Sequence, residues 1–228
     1  MIALVTGAAR GIGLATAQLL LEQKFQVIGL DRAFGNDVPD KVRRVTYDLT
    51  DVAGIPALVA SLGRVDALVN NAGMQNAVPI QRYTEAMRRR ILAVNLEAPV
   101  ELIRAVAPQM IERKAGRIVS LASIAAYQPH PDLWYGATKA GIVSMTKSYA
   151  SYLGPHGIQV NAVAPGPVDT ELLKVVDKAR VAALTGAVLS RRLGRAEEIA
   201  QVIVWLLTGS PQILNGATLD VNDGTYPR

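Results

Sequence analysis

The stretch Ile2-Ala3-Leu4-Val5-Thr6-Gly7-Ala8-Ala9-Arg10-Gly11-Ile12-Gly13 decides the fold. Its four leading apolar residues predict a short buried strand, and the periodicity from Ile12 to Gln23 predicts a helix. The three glycines between them permit a tight turn in which backbone amides can approach a pyrophosphate, and the positive end of the helix dipole favours that anion. The glycines follow the order Gly-x-x-x-Gly-x-Gly. Strand, loop and helix together predict a dinucleotide-binding unit.

Short apolar runs and helical periodicity alternate along the rest of the chain. Continuously hydrophobic strands separated by helices are typical of a parallel sheet covered on both faces. We therefore predict an α/β fold with one doubly wound, Rossmann-type parallel sheet, in a single domain over residues 1–228. The predicted strands are Ile2–Val5, Gln26–Leu30, Arg43–Tyr47, Ala67–Asn70, Arg117–Leu121, Gln159–Val163 and Ala217–Val221. The main predicted helices are Ile12–Gln23, Thr84–Glu112, Tyr135–Leu153 and Glu197–Leu207.

The composition excludes several classes of function. The chain has no cysteine and only two histidines, so disulfides are excluded and no metal site is predicted. Met1 runs directly into the first predicted strand without the pattern of a secretory leader, so none is expected, and the apolar run at Val202–Leu207 is too short for a bilayer. We therefore expect a cytoplasmic protein without a membrane partner.

The chain carries an excess of basic residues, with 24 lysines and arginines against 19 acidic residues and a sequence pI of about 9.6. These cations are scattered, and no aromatic residues interleave with them as in a nucleic-acid platform. The single dense run, Arg88-Arg89-Arg90, points in three directions on a helix and suits a solvated or subunit-facing surface. No nucleic-acid partner is predicted.

Asp31 ends the second predicted strand, where a carboxylate can accept hydrogen bonds from the hydroxyls of an adenosine ribose. The same charge would repel a 2′-phosphate, which favours NAD over NADP. Arg32 follows immediately, and its guanidinium could accommodate that phosphate if it turned inward. Asp31 also suits an ordinary turn at the end of a strand.

Tyr135 precedes Lys139 by four residues, and Ser123 lies twelve positions upstream of Tyr135. On a helix this spacing puts the phenol and the ammonium on one face. At about 4 Å and an effective dielectric near 20, the attraction is about 4 kcal/mol, which would lower the pKa of the phenol. Such a group could exchange a proton with an alcohol near neutral pH. The same spacing also occurs on ordinary amphipathic helices.

Taken together these motifs resemble the short-chain dehydrogenase/reductase family over residues 6–224, nearly the whole chain. The resemblance implies a nicotinamide-dependent oxidoreductase acting on an alcohol or its carbonyl. Its catalytic residues would be Asn95, Ser123, Tyr135 and Lys139. The positions that would bind the cofactor are Gly7, Arg10, Gly11, Ile12, Gly13, Asp31, Asp48, Leu49, Asn71, Ala72, Gly73, Tyr135, Lys139, Pro165, Gly166, Val168 and Thr170.

The resemblance also assigns roles. Tyr135 would be the acid/base, Lys139 would lower its pKa and bind the nicotinamide ribose, and Ser123 would hydrogen-bond the substrate oxygen. Asn95 would hold a water that relays protons. The alternatives are a non-catalytic relative that binds a dinucleotide as a regulatory or scaffolding protein, and a sugar-nucleotide epimerase, which the short length disfavours.

The sequence departs from the family pattern in three places. Too few residues follow Asp31 for a crossover helix, so a loop or single turn is predicted there. The spacing from Ser123 to Tyr135 is one residue tighter than usual, which could shift the loop between them. Asp223 stands where the family usually has a glycine of the C-terminal turn, so the usual conformation of that turn is not assured here.

The substrate is predicted to be a small alcohol or carbonyl compound, and the candidate pocket residues fit sugars, small cyclic alcohols or hydroxy acids. The irregular stretch from Ala164 to about Arg195 is predicted to be either a mobile lid or an ordinary surface excursion. A homo-oligomer, either a tetramer or a dimer, is predicted through the helices Thr84–Glu112 and Tyr135–Leu153. His130 and Arg191 are weighed as carboxylate ligands, with a surface role preferred for each. The candidate pocket residues are Met74, Gln75, Ala125, Tyr127, His130, Trp134 and the segment Leu172–Leu189.

Overall fold

One parallel sheet organises the molecule. The computed structural model describes residues 1–76, 78–174 and 176–227, and within them seven strands follow the order β3-β2-β1-β4-β5-β6-β7. Every neighbouring pair is parallel. The strands are β1 (Ile2–Thr6), β2 (Gln26–Asp31), β3 (Val42–Thr46), β4 (Ala67–Asn70), β5 (Gly116–Leu121), β6 (Ile158–Pro165) and β7 (Thr218–Val221).

Helices connect most of the strands, as parallel pairing requires. The α-helices are α1 (Gly11–Glu22), α2 (Ile55–Leu62), α3 (Glu85–Leu92), α4 (Ala98–Arg113), α5 (Leu133–Leu153), α6 (Lys178–Ala187) and α7 (Ala196–Thr208). Short 3₁₀ turns cover Ile80–Arg82, Ile124–Ala126 and Gly154–His156. Within the described residues, no helix combines the length and apolarity needed to cross a membrane.

Two apolar layers sandwich the sheet. Leu4 belongs to the layer under α2, α4 and α5, and its neighbours Ala3 and Val5 belong to the layer under α1 and α7. Successive side chains of a strand point to opposite faces, so a fully apolar strand supplies both layers. Burial of one leucine side chain contributes about 1.5–3 kcal/mol to folding. The predicted doubly wound α/β fold is confirmed.

The order of the strands locates the functional crevice. Strand β1 pairs with both β2 and β4, so the chain leaves β1 toward one edge of the sheet and returns toward the other. Ligands of open parallel sheets bind at the carboxyl ends of the strands at such a reversal. The loops after β1 and β4 therefore form the centre of the candidate site.

The predicted helix Thr84–Glu112 is interrupted. Thr84 caps α3 by accepting the Met87 N–H at 3.2 Å, but a π-helical turn over Ala93–Glu97 separates α3 from α4. Pro99 lacks the N–H that an α-helix would donate to residue 95, which explains a change of hydrogen-bond pattern there. Turns of this kind are frequent at functional sites.

Two of the departures from the family pattern have a clear outcome. Residues 32–41 connect β2 to β3 without a helix, so the predicted loop is confirmed. Asp223 adopts the left-handed region with φ 47°, which aspartate tolerates better than most residues. Its carboxylate accepts the Ser190 N–H at 3.0 Å, and the Ser190 side chain together with this bond holds the pKa of Asp223 below its usual range.

Candidate active site

A cavity of about 1130 Å³ lies along the carboxyl ends of the strands. It runs from Arg10 and Asp31 after β1 and β2 to Tyr135 on α5 and Arg180 on α6. Of the predicted site residues, Gly13 and Asn95 alone are not part of its lining. The others in the lining are Gly7, Gly11, Ile12, Asp48, Leu49, Asn71, Ala72, Gly73, Ser123, Lys139, Pro165, Gly166, Val168 and Thr170.

The glycine loop is fixed from both sides. Gly7 has a φ of 67° and donates its N–H to Leu30 O at 2.8 Å, and a Cβ there would lie 2.7 Å from Asn71 Nδ2. Thr6 is fully buried, and its Oγ1 accepts the N–H groups of Asn71 and Ala72, both at 3.0 Å. These bonds join the loop after β1 to the loop after β4. Gly13 does not line the cavity. Because it has no Cβ, it lets Gly7 O and the Asn71 side chain pack closely against the start of α1.

Asp31 lies where the sequence predicts a ribose ligand. Its Oδ2 accepts the Ala9 N–H at 3.0 Å and its Oδ1 accepts the Arg32 N–H at 2.8 Å, so the carboxylate faces the glycine loop. Hydrogen bonds from Thr50 lower the pKa of neighbouring Asp48, and the charges of Arg32 and Arg90 contribute. This end of the cavity therefore holds acids and cations together.

Tyr135, Ser123 and Lys139 meet at the other end of the cavity. Tyr135 is 8% exposed, and the Ser123 side chain is close enough to its hydroxyl to influence the pKa of the phenol. Lys139 Nζ donates to Leu121 O at 2.6 Å and lies 5.6 Å from the centre of the Tyr135 ring. The ammonium therefore lies above the ring, close to a carbonyl at the end of β5.

The predicted lowering of the Tyr135 pKa is wrong for this structure. Burial raises the pKa of Tyr135, the bond with Ser123 opposes that rise, and the charge of Asp132 adds to it. Burial also lowers the pKa of Lys139 to about 8. Desolvation disfavours both charged forms, and it outweighs the attraction that the four-residue spacing suggests. The phenol is consequently protonated at neutral pH.

Asn95 occupies the π-helical turn and is 1% exposed. Its Oδ1 accepts the Met74 N–H at 2.9 Å, and its Nδ2 donates to Met74 O at 2.8 Å and to Thr138 Oγ1 at 3.2 Å. The side chain thus joins the loop after β4 to the helix that carries Tyr135. The water relay that the resemblance assigns to Asn95 stays a prediction.

Asp132 is a site residue that sequence reasoning missed. The carboxylate is 3% exposed and accepts three hydrogen bonds: Tyr135 N–H at 3.0 Å, Tyr83 Oη–H at 2.9 Å and Asn76 N–H at 2.5 Å. Asp132 is the N-cap of α5, where its negative charge also interacts favourably with the helix dipole. Asp132 therefore fixes Tyr135 relative to the loop after β4. An N-cap aspartate three residues before a tyrosine was the available signal.

The structure places part of the predicted substrate pocket in the cavity lining. Met74, Gln75, Ala125, His130 and several residues of Leu172–Leu189 line the cavity, whereas Tyr127, Trp134 and Arg191 do not. Val175, within that segment, lies outside the described residues. Gln75 Nε2 donates to Leu172 O at 2.9 Å across the cavity, which joins the loop after β4 to the chain after β6.

The residues present fit a nicotinamide dinucleotide. The close glycine loop, the carboxylate after β2 and the lysine and tyrosine at the far end share one continuous cavity. No group of three or more histidine, cysteine or acidic side chains within residues 1–76, 78–174 and 176–227 is placed to hold a metal ion. Fold and cavity define a nicotinamide-dependent oxidoreductase.

Comparison with known proteins gives the family. The model of the short chain dehydrogenases matches residues 1–181, and the chain belongs to this family, whose members oxidise CH–OH groups or reduce the keto group. The 3-oxoacyl-[acyl-carrier-protein] reductase FabG of Vibrio harveyi is 34% identical over 99% of this chain and 97% of that protein. FabG of Thermotoga maritima is also 34% identical, over 98% and 96% respectively.

Solved structures of similar sequence share the fold over nearly the whole chain. A protein from Beutenbergia cavernae, provisionally described as an NAD(P)-dependent gluconate 5-dehydrogenase and holding NADP at low occupancy, superposes with a TM-score of 0.92 at 30% identity, covering 98% of this chain and 96% of that one. A 3-oxoacyl-[acyl-carrier protein] reductase from Brucella melitensis with bound NAD has a TM-score of 0.89 at 33% identity, covering 100% and 91%. Members of similar fold thus hold either nicotinamide cofactor.

Proposed function

We propose that this protein transfers a hydride between NAD(H) and a secondary alcohol or ketone, with Tyr135 as the acid/base. The observation that carries the proposal is the buried Tyr135–Ser123 pair at one end of a cavity whose other end is the glycine loop. The nicotinamide supplies or accepts the hydride when it is bound. The protein positions the substrate and the cofactor, and Tyr135 supplies or accepts the proton.

Reduction is the direction that the protonated state of Tyr135 favours. The carbonyl carbon gains the hydride, its oxygen gains the proton of the Tyr135 hydroxyl, and Ser123 hydrogen-bonds the same oxygen as negative charge develops. Burial raises the pKa of Tyr135, so the proton is in place at neutral pH. Lys139 lines the same cavity as Tyr135 and the glycine loop, which supports the predicted contact with the nicotinamide ribose.

NAD is the proposed cofactor because Asp31 lines the cavity beside the glycine loop, where its negative charge would repel a 2′-phosphate. Arg10, Arg32 and Arg90 line the same end, so NADP is the alternative. The cytoplasmic location and the homo-oligomer also stay predictions. The non-catalytic alternative gains no support from the buried Tyr135–Ser123 pair, because binding a dinucleotide does not require it.

Fluorescence titration with NADH and NADPH tests the cofactor. We expect tighter binding of NADH, and we expect Asp31→Asn to improve NADPH binding about tenfold by removing the repulsion while keeping an acceptor for Ala9. The matched control is Asp37→Asn, an exposed acid in the same connection. A preference of the unchanged protein for NADPH would contradict the proposed role of Asp31.

A further inference from the structure

Arg180 is a cation in the cavity wall that the proposed function does not use. It lies in the first turn of α6, is half-buried, and lines the cavity together with Tyr135 and His130. Within the part of the chain that the structure describes, no acidic side chain pairs with it at 4.0 Å or less, whereas nearby Lys174 is paired with Glu171. Its charge is therefore available to a ligand.

His130 adds a hydrogen-bond donor beside the catalytic tyrosine. The His130 and Tyr135 ring centres are 5.0 Å apart. Nδ1 of His130 lies 3.1 Å from Asp132 N and 3.2 Å from Asp132 O. Because the Asp132 N–H can only donate, Nδ1 accepts, and the hydrogen-bond network assigns the proton of the neutral ring to Nε2.

The neutral form of His130 is favoured at physiological pH. Burial lowers the pKa of His130, the hydrogen bond with the Asp132 backbone opposes this, and the positive charge of Arg180, which lines the same cavity, lowers it further. Among the described residues, Nε2 has no hydrogen-bond partner, and it is not among the buried polar atoms that lack one. The Nε2–H group is thus accessible, on a residue that lines the cavity.

The acids of the same wall are otherwise engaged. The Asp132 carboxylate accepts three hydrogen bonds from Tyr135, Tyr83 and Asn76. The carboxylate of Asp177 accepts the Ala179 N–H at 2.8 Å and caps α6. The substrate end of the cavity therefore presents a guanidinium and an imidazole N–H, a pair that complements an anion with two oxygens.

We propose that Arg180 and the Nε2–H group of His130 bind a carboxylate of the substrate, so that the substrate is a short oxo acid or the corresponding hydroxy acid. The carbonyl of this acid would lie at Tyr135 and Ser123, and the carboxylate would lie beyond the His130 ring. This inference rests on the proposed function and deepens it, because it names the class of substrate.

Paired substrates test the inference. The assay measures NADH-dependent reduction of 2-oxo, 3-oxo and 4-oxo acids, each beside its methyl ester, together with a 3-oxoacyl thioester of N-acetylcysteamine. We expect kcat/KM for the best acid to exceed that for its ester at least about tenfold. Arg180→Gln should lower kcat/KM for the acid about ten- to hundredfold, chiefly by raising KM. It should leave kcat/KM for the ester unchanged.

Lys178→Gln is the matched control, because it removes the same charge from the same turn of α6 at an exposed position outside the cavity lining. It should behave as the unchanged protein. Equal use of acid and ester, a preference for the thioester, or an equal loss for acid and ester in Arg180→Gln would overturn the carboxylate site. Each of these results would leave the proposed carbonyl reduction standing.

A binding measurement separates the two proposals further. The acids and esters are titrated into the NADH complex, and the fluorescence of bound NADH reports binding without turnover. Tighter binding of the acid than of its ester, lost in Arg180→Gln and kept in Lys178→Gln, supports the carboxylate site even if the chemistry fails. Equal binding of acid and ester would overturn it.

Discussion

Replacement of Tyr135 by phenylalanine lowers kcat for carbonyl reduction at least about hundredfold and leaves the affinity for NADH unchanged. General acid catalysis by a positioned side chain contributes about 10²- to 10⁴-fold, and this variant removes the proton while keeping the ring. The ring still packs against His130 and lies below Lys139, so the cavity keeps its shape. Steady-state kinetics and NADH fluorescence measure the two quantities.

The matched control for this variant is Tyr152→Phe. Tyr152 lies on the same helix, α5, and is 65% exposed, so its hydroxyl is remote from the cavity lining. It should retain full activity. Unchanged turnover in Tyr135→Phe would remove Tyr135 from the proposed chemistry, and loss of NADH binding in that variant would show that the phenol acts in binding instead.

Replacement of Gly13 by alanine abolishes NADH binding and lowers the free energy of unfolding by about 1–3 kcal/mol. A Cβ at Gly13 would lie 2.0 Å from Gly7 O and 2.5 Å from Asn71 Nδ2. Backbone atoms of a tight loop cannot retreat from such an overlap without disturbing the bonds that join the loops after β1 and β4. Denaturant unfolding and NADH titration check the two effects.

Gly35→Ala provides the control for the glycine substitution. A Cβ at Gly35 would meet nothing within 4 Å, and the residue is exposed in the connection between β2 and β3. The stability and NADH affinity of this variant should match those of the unchanged protein. Wild-type affinity and stability in Gly13→Ala would contradict the loop geometry described above.

Local sequence patterns predict the sheet and the glycine loop well. Continuous apolar runs such as Ala67–Asn70 can only be satisfied by burial on both faces, so they predict a parallel sheet directly. The break between α3 and α4 contains Asn95, which pairs with Met74 in the loop after β4. Pro99 was the local signal for it, but it does not reveal the partner.

Properties that depend on burial could not be predicted from the sequence. The four-residue spacing places Lys139 near Tyr135, yet the direction of the Tyr135 pKa follows from how deeply the phenol is buried. Arg180 lies within the predicted pocket segment Leu172–Leu189 but was not singled out, because its role depends on how the chain after β6 folds over the cavity. Arg191, which the sequence suggested instead, donates to Gly186 O outside that lining. Mobility of the segment as a lid stays a prediction.

Transfer of deuterium tests the central claim most directly. Purified protein is mixed with an oxo acid or ketone and NADH that carries deuterium at both C4 positions, and the alcohol is analysed by mass spectrometry. The account predicts one deuterium on the carbinol carbon with the unchanged protein and almost no product with Tyr135→Phe. Absence of labelled alcohol from every carbonyl compound, while NADH still binds, would contradict hydride transfer and favour a non-catalytic dinucleotide-binding protein.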